Sequence, residues 1–116
     1  MAQKFIEIDD ITKRFGAVSL GSPVEVAVVG PTVLYAPAAG NRIRLKWFAM
    51  ATSDTNSATV IATVYLGAQA LYIWPLPIPG AFMHNSVREG GMDETLSISL
   101  SVDGQPVYCN IDLEEF

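Results

Sequence analysis

The chain has one cysteine, one histidine and few charges, and each scarcity removes a class of activity. Cys109 alone cannot form an intrachain disulfide. A Cys-His nucleophilic pair would have to combine Cys109 with His84. Cys109 falls in phase with Val107 and Ile111, where a thiol behaves as a small hydrophobe with a raised pKa. His84 has no Cys, Asp or second His beside it at metal-ligand spacing. Charged residues are 16% of the chain, well below the usual quarter, and the net charge is −5. That balance argues against a general affinity for nucleic acid, which depends on Lys and Arg neutralising phosphates. Asn, Arg, Gly or Pro interrupts every apolar segment before it approaches the roughly eighteen residues that cross a bilayer. The first residues lack the basic start and apolar stretch of a signal peptide. The expectation is a soluble protein made in a reducing cytoplasm, with no membrane partner.

What is present is apolar and alternating. The 116 residues suit one domain, long enough to bury a core without staples, and half of them are hydrophobic. Residues 1–15 read as an N-terminal arm or edge strand and 16–116 as a single β-sandwich domain. Val24 to Val29 and Thr32 to Ala36 alternate on either side of Gly30-Pro31, which predicts two strands around a turn. Asn41 to Thr52 and Ala58 to Leu66 alternate around Ser53-Asp54-Thr55-Asn56-Ser57, which reads as a hairpin with a five-residue loop. Gly67-Ala68 permits a turn into Gln69 to Trp74. Pro75 to Pro79 reads as an extended loop, because alternate residues lack the donor N–H of a central strand. Ala81 to Asp93 looks irregular. Leu96 to Val102 and Val107 to Leu113 alternate around Asp103-Gly104, which predicts a terminal hairpin. Eight or so short strands without an amphipathic helix point to an all-β antiparallel sandwich of jelly-roll type. An immunoglobulin-like sandwich is the alternative, without the Cys-Trp-Cys spacing of that family.

Strand phase predicts a core of Ile43, Leu45, Trp47, Val60, Val64, Leu96, Ile98, Leu100, Val107, Cys109 and Ile111. Phe48, Met50, Ile61 and Tyr65 then fall on the opposite face, where they form an apolar patch that predicts an oligomer interface. Arg42, Arg44 and Lys46 would find acidic partners at its rim. The competing occupant of that face is the arm itself, through Phe5, Ile6 and Ile8. Tyr35, Tyr72 and Trp74 are a candidate aromatic platform for a sugar, although such rings are equally common in cores and contacts. Glu89, Asp93 and Glu94 could be a carboxylate pair, but three acids in a Gly-rich loop more often solvate it. Asp54, Thr55 and Asn56 lack the ligand count of a calcium loop. No catalytic residue, metal or cofactor is expected, and the chain is read as no enzyme.

The run Ala36-Pro37-Ala38-Ala39-Gly40-Asn41-Arg42-Ile43-Arg44-Leu45 places a Pro/Ala/Gly turn before an Arg-Ile-Arg-hydrophobic strand. With the Thr59-Val60 strand, the Pro-rich middle, Gly90-Gly91 and the Thr95 to Leu100 strand, it resembles small all-β virion proteins of tailed bacteriophages over residues 36 to 113. The chain departs from that pattern in its Pro75 to Pro79 run and its acidic Asp112-Leu-Glu-Glu115 end. The resemblance implies a non-enzymatic structural subunit of head-decoration, cement or tail-associated type. It would be made in the host bacterial cytoplasm and carried on the virion, as a homo-oligomer, most plausibly trimeric, against capsid or tail proteins. The alternative function is a carbohydrate- or receptor-binding sandwich module.

Overall fold

Ten strands build two antiparallel sheets in the computed structural model, which describes residues 17–18, 24–52, 56–76 and 80–116. They are β1 (Ala17–Val18), β2 (Val24–Val26), β3 (Gly30–Tyr35), β4 (Ile43–Thr52) and β5 (Val60–Leu66), then β6 (Gln69–Leu76), β7 (Ala81–His84), β8 (Arg88–Glu89), β9 (Leu96–Leu100) and β10 (Val107–Glu115). There is no helix among the described residues. The arm expected over 1–15, the polar residues Ser53, Asp54 and Thr55, and Pro77 to Pro79 lie outside them.

One sheet runs β2, β10, β4, β7, with β1 also on β10 and β8 also on β4; the other runs β3, β9, β5, β6. Along the chain from β2 to β5 every step crosses from one sheet to the other, β5 and β6 stay together, and β9 to β10 crosses again. This double-sheet winding is a jelly roll, the architecture expected from the strand pattern. Three of the expected hairpins are corrected by it. Val24–Val26 pairs with β10 while Gly30–Tyr35 pairs with β9, β4 and β5 lie in opposite sheets, and so do β9 and β10. The turn expected at Gly67-Ala68 does join paired strands.

The β2–β3, β4–β5 and β9–β10 crossing loops gather at one end and are tied together. Gly104, with φ +73°, donates its N–H to Ala27 O at 2.8 Å, and Asp103 accepts from Val29 N at 3.1 Å. Gln105 Oε1 accepts from Ser57 N at 2.6 Å and from Ala58 N at 3.1 Å, while Asn56 Nδ2 donates to Pro106 O. Asp-Gly and Asn-Ser clusters satisfy a crossover as well as a hairpin, so turn chemistry alone does not name the partner strand.

The core is built from the inward residues of both sheets, and β4 supplies them in two phases. Leu113 pairs with Leu45 but Asp112 pairs with Trp47, so Lys46 is an extra residue, a β-bulge. Ile43 and Leu45 point inward before it; after it Phe48, Met50 and Thr52 do. Phe48 and Met50 are 0% and 1% exposed, so these two members of the expected interface belong to the core, and Trp47, expected there, turns outward. Ile111 faces inward but is only half-buried. The other expected core residues are buried. Strand β6 continues through Pro75 to Leu76 because it is the free edge of its sheet, where a missing donor breaks no ladder bond. The stretch expected to be irregular after Gly80 supplies β7 and β8, which pair with β4.

Candidate functional site

The two outer faces differ in chemistry. None of the residues of β3, β5, β6 and β9 is charged, whereas β2, β4, β8 and β10 carry Glu25, Arg44, Lys46, Arg88, Glu89, Asp112, Glu114 and Glu115. On the four-stranded sheet, register sets Val33 beside Ser97, Ser99 beside Thr63 and Tyr65 beside Ser97, all pointing away from the core. Val33, Ile61 and Ile73 are exposed there, with Pro31 and Pro75 on the same side. Ser97 and Ser99 place short side chains along β9, between Val33 on β3 and Thr63 and Tyr65 on β5.

The charged ridge on the other sheet is internally neutralised. Arg44 Nε lies 2.6 Å from Glu89 and its Nη1 3.0 Å from Glu114, and Lys46 Nζ lies 2.7 Å from Glu114. These partners, Lys46 first, hold the Glu114 carboxyl below its ordinary pKa. Arg42 donates to Gly90 O at 2.8 Å, and both arginines sit over the Phe116 ring, at 5.2 and 4.4 Å. Residues expected to await acids on a neighbouring subunit have found them, or a carbonyl, within the chain.

Of the candidate platform, Tyr72 and Trp74 come together and Tyr35 does not. Tyr35 donates its hydroxyl to Glu115, which also accepts from Ala38 N at 3.0 Å and Asn41 Nδ2 at 2.6 Å. Tyr72 and Trp74 instead face inward along the free edge of β6, paired with buried Val64 and Ala62. Across the gap stands the free edge of the other sheet, where Phe82 and His84 face inward opposite Met50 and Phe48. The Tyr72 and His84 rings are 4.5 Å apart, Tyr72 and Phe82 5.4 Å, and Trp74 and Phe82 5.0 Å. The inward placement of Phe82 and His84 escaped the sequence reading because their strand is four residues long, too short for its alternation to register.

The remaining chemistry-bearing residues are structural. Asp93, at φ +65°, accepts from Gly40 N at 2.6 Å, Glu94 accepts from Gly91 N, and Glu89 pairs with Arg44, so the three acids cap turns and a strand edge. Gly67 takes φ +63°, which favours glycine at that turn, and a Cβ there would also displace the Glu94 carboxylate. Burial pushes the Cys109 thiol up to about 12, far from thiolate reactivity. Among the described residues no three His, Cys, Asp or Glu side chains gather at metal-binding distance. Among the described residues no helix is long and apolar enough to cross a membrane. Comparison with protein-family models and with curated proteins finds no match for this chain.

Proposed function

We propose that this chain is a non-enzymatic structural subunit of a tailed-bacteriophage particle, of the capsid-decoration class, assembling with copies of itself through the outer face of its four-stranded sheet. The observation that carries the assembly is that no residue of β3, β5, β6 or β9 is charged while the chain as a whole holds a net charge of −5. Copies of such a chain repel one another wherever their charges approach, and least across a face that has none. That face also offers exposed Val33, Ile61 and Ile73 to be removed from water. Of the interface expected from strand phase, Ile61 and Tyr65 remain in this surface. Arg44 and Lys46 are paired within the chain and lie on the other sheet, so they are left out of the contact. In a closed three-fold arrangement, as for a capsid decoration, each subunit meets two neighbours, so different parts of the face serve the two contacts.

The place on a particle rests on the resemblance over residues 36 to 113, and the jelly roll agrees with it by analogy of fold, since viral capsid domains use this architecture. Light scattering on the full chain at micromolar concentration tests the assembly. The expected result is an oligomer that Ile61→Asp or Ile73→Asp converts to a monomer with its melting transition retained. A monomeric mass for the unaltered chain would sink the assembly. Recovery of the chain as a stoichiometric component of purified virions is the expected result for its placement, and its absence from them would remove the phage role.

A further inference from the structure

The side of the sandwich where β6 and β7–β8 leave their edges unpaired holds a group of residues that packing alone does not explain. Three features coincide there. The first is an aromatic surface that starts inside and ends in water: Tyr72 is 7% exposed, and Trp74, two residues along the same inward row, is 43% exposed and packed at a tilt against Phe82. The second is a pair of buried polar atoms without partners among the described residues, Tyr72 Oη and His84 Nδ1. Phenylalanine would fill either position without leaving a polar atom unpaired, which costs free energy whenever no partner arrives. The third is Arg88. It pairs in register with buried Leu45 and so projects from the inner side of the same edge as Phe82 and His84. Its only bonded partner among the described residues is the Ser86 hydroxyl, at 3.2 Å, in a chain whose Arg44 and Lys46 are both matched to carboxylates. Burial pushes the Tyr72 phenol up and the Arg88 charge opposes that rise, which puts the guanidinium within electrostatic reach of the ring.

We propose that the facing free edges of β6 and β7–β8 are a binding site for an acidic saccharide, with a sugar ring stacked on Trp74, its hydroxyls meeting Tyr72 Oη and His84 Nδ1, and a carboxylate held by Arg88. Each part matches one property of that ligand class. A pyranose presents a C–H face to an indole and hydroxyls at its rim that both donate and accept, as a phenol donor and an imidazole nitrogen require. A carboxylate is the group that a free, planar guanidinium holds bidentately. Along β4, His84 and Arg88 stand opposite Phe48 and Leu45, three positions apart, or about 10 Å at the rise of a strand, which a disaccharide spans. The two polar atoms are shut off from solvent, so a sugar hydroxyl reaches them only when the Tyr72 and His84 rings part. The site is separate from the uncharged outer face and needs no assembly.

Fluorescence titration tests it in a Trp47→Phe background, which leaves Trp74 as the reporter. The probes are methyl glucuronide and galacturonate oligosaccharides, with methyl glucoside as the neutral control. The expected result is a saturable change with the carboxylated sugars at millimolar concentration or below. Arg88→Gln in that titration, and Trp74→Ala in isothermal titration calorimetry because it lacks the reporter, should each weaken binding about tenfold, the value of one charged contact or one stacked ring. Tyr72→Phe should weaken binding while leaving the melting temperature unchanged or raised, because it removes an orphan atom. No saturable change with any carboxylated sugar overturns the site. Equal binding of the neutral sugar with Arg88→Gln without effect overturns the acidic ligand. Preference for an acidic peptide over every saccharide overturns the class.

Discussion

Glu115 holds the end of the sandwich where the chain enters β4. Its carboxylate takes the hydroxyl of Tyr35, the amide of Asn41 and the N–H of Ala38, three donors from the β3–β4 connection. The Tyr35 hydroxyl, then Asn41 and Ala38, hold its pKa below the ordinary 4.5, against a desolvation that opposes them. Burial first, and then the same carboxylate, push the Tyr35 phenol up to about 12. The two shifts set opposite flanks of stability. A depressed carboxyl contributes fully above its unfolded pKa, and the contribution is lost as pH falls from about 4.5 through the folded value. A raised phenol contributes fully below 10, and its contribution is lost as pH rises from there through about 12. Glu115→Gln is expected to cost about 1–3 kcal/mol at neutral pH, as for losing a charged acceptor. It should also flatten the acid flank of a urea-midpoint profile; an unchanged acid flank would show that Glu115 contributes nothing to it. Little of this was legible beforehand. Tyr35 read as an aromatic ring for a ligand, because the glutamate that claims its hydroxyl lies eighty residues away in the chain.

At the scale of the element, β4 shows what alternation conveys and what it omits. The Asn41 to Thr52 run is a strand, as its period of two predicts, and the inward placement of Ile43 and Leu45 follows from that period alone. One bulge at Lys46 inverts everything after it, so Phe48 and Met50 enter the core and Trp47 leaves. A bulge has no fixed residue signature, and the partner strand that reveals it, β10, comes last in the chain. The same blindness to partners turned three crossovers into expected hairpins. Strands β5, β9 and β10 have no such inversion near their buried rows, and their inward residues were readable directly. Deletions test the register. Removing Lys46 leaves Leu45 opposite Leu113 and Trp47 opposite Asp112 in regular alternation, so Phe48 and Met50 stay inward and one exposed ion pair is lost. Removing Ala49, where no extra residue absorbs the loss, turns Met50 outward and forfeits about 1.5–3 kcal/mol of burial. The expected outcome is a cooperative urea transition retained by the Lys46 deletion and a much lower midpoint for the Ala49 deletion; equal losses in the two would show that Lys46 is not the extra residue.

At the scale of the molecule, the division of charge between the sheets was written in the sequence but invisible without the topology. The uncharged strands are third, fifth, sixth and ninth in order, and only the jelly-roll winding lays them side by side. The aromatic cluster is of the same kind, since it joins β6 and β7 across two sheet edges. The winding that creates both features also governs how the chain folds. Val26 must find Val107 and Gly30 must find Leu100, each across most of the chain, before the sheets are complete. Among the described residues only β5 and β6 meet through a short turn. Loop-closure entropy is therefore spent before most contacts form, and the expectation is slow refolding, with relaxation on the order of milliseconds to seconds in water, as for sandwiches dominated by non-local pairing. The β5–β6 hairpin is the one local unit available to form early. A Gly67→Ala variant, strained at φ +63° and displacing the Glu94 carboxylate, should slow the folding limb of the chevron. Ile43→Val, on a strand whose partners are distant, should act mainly on the unfolding limb. Stopped-flow fluorescence measures both. Microsecond refolding, or a Gly67→Ala effect confined to unfolding, would show that the chain does not begin at its only local pair of strands among the described residues.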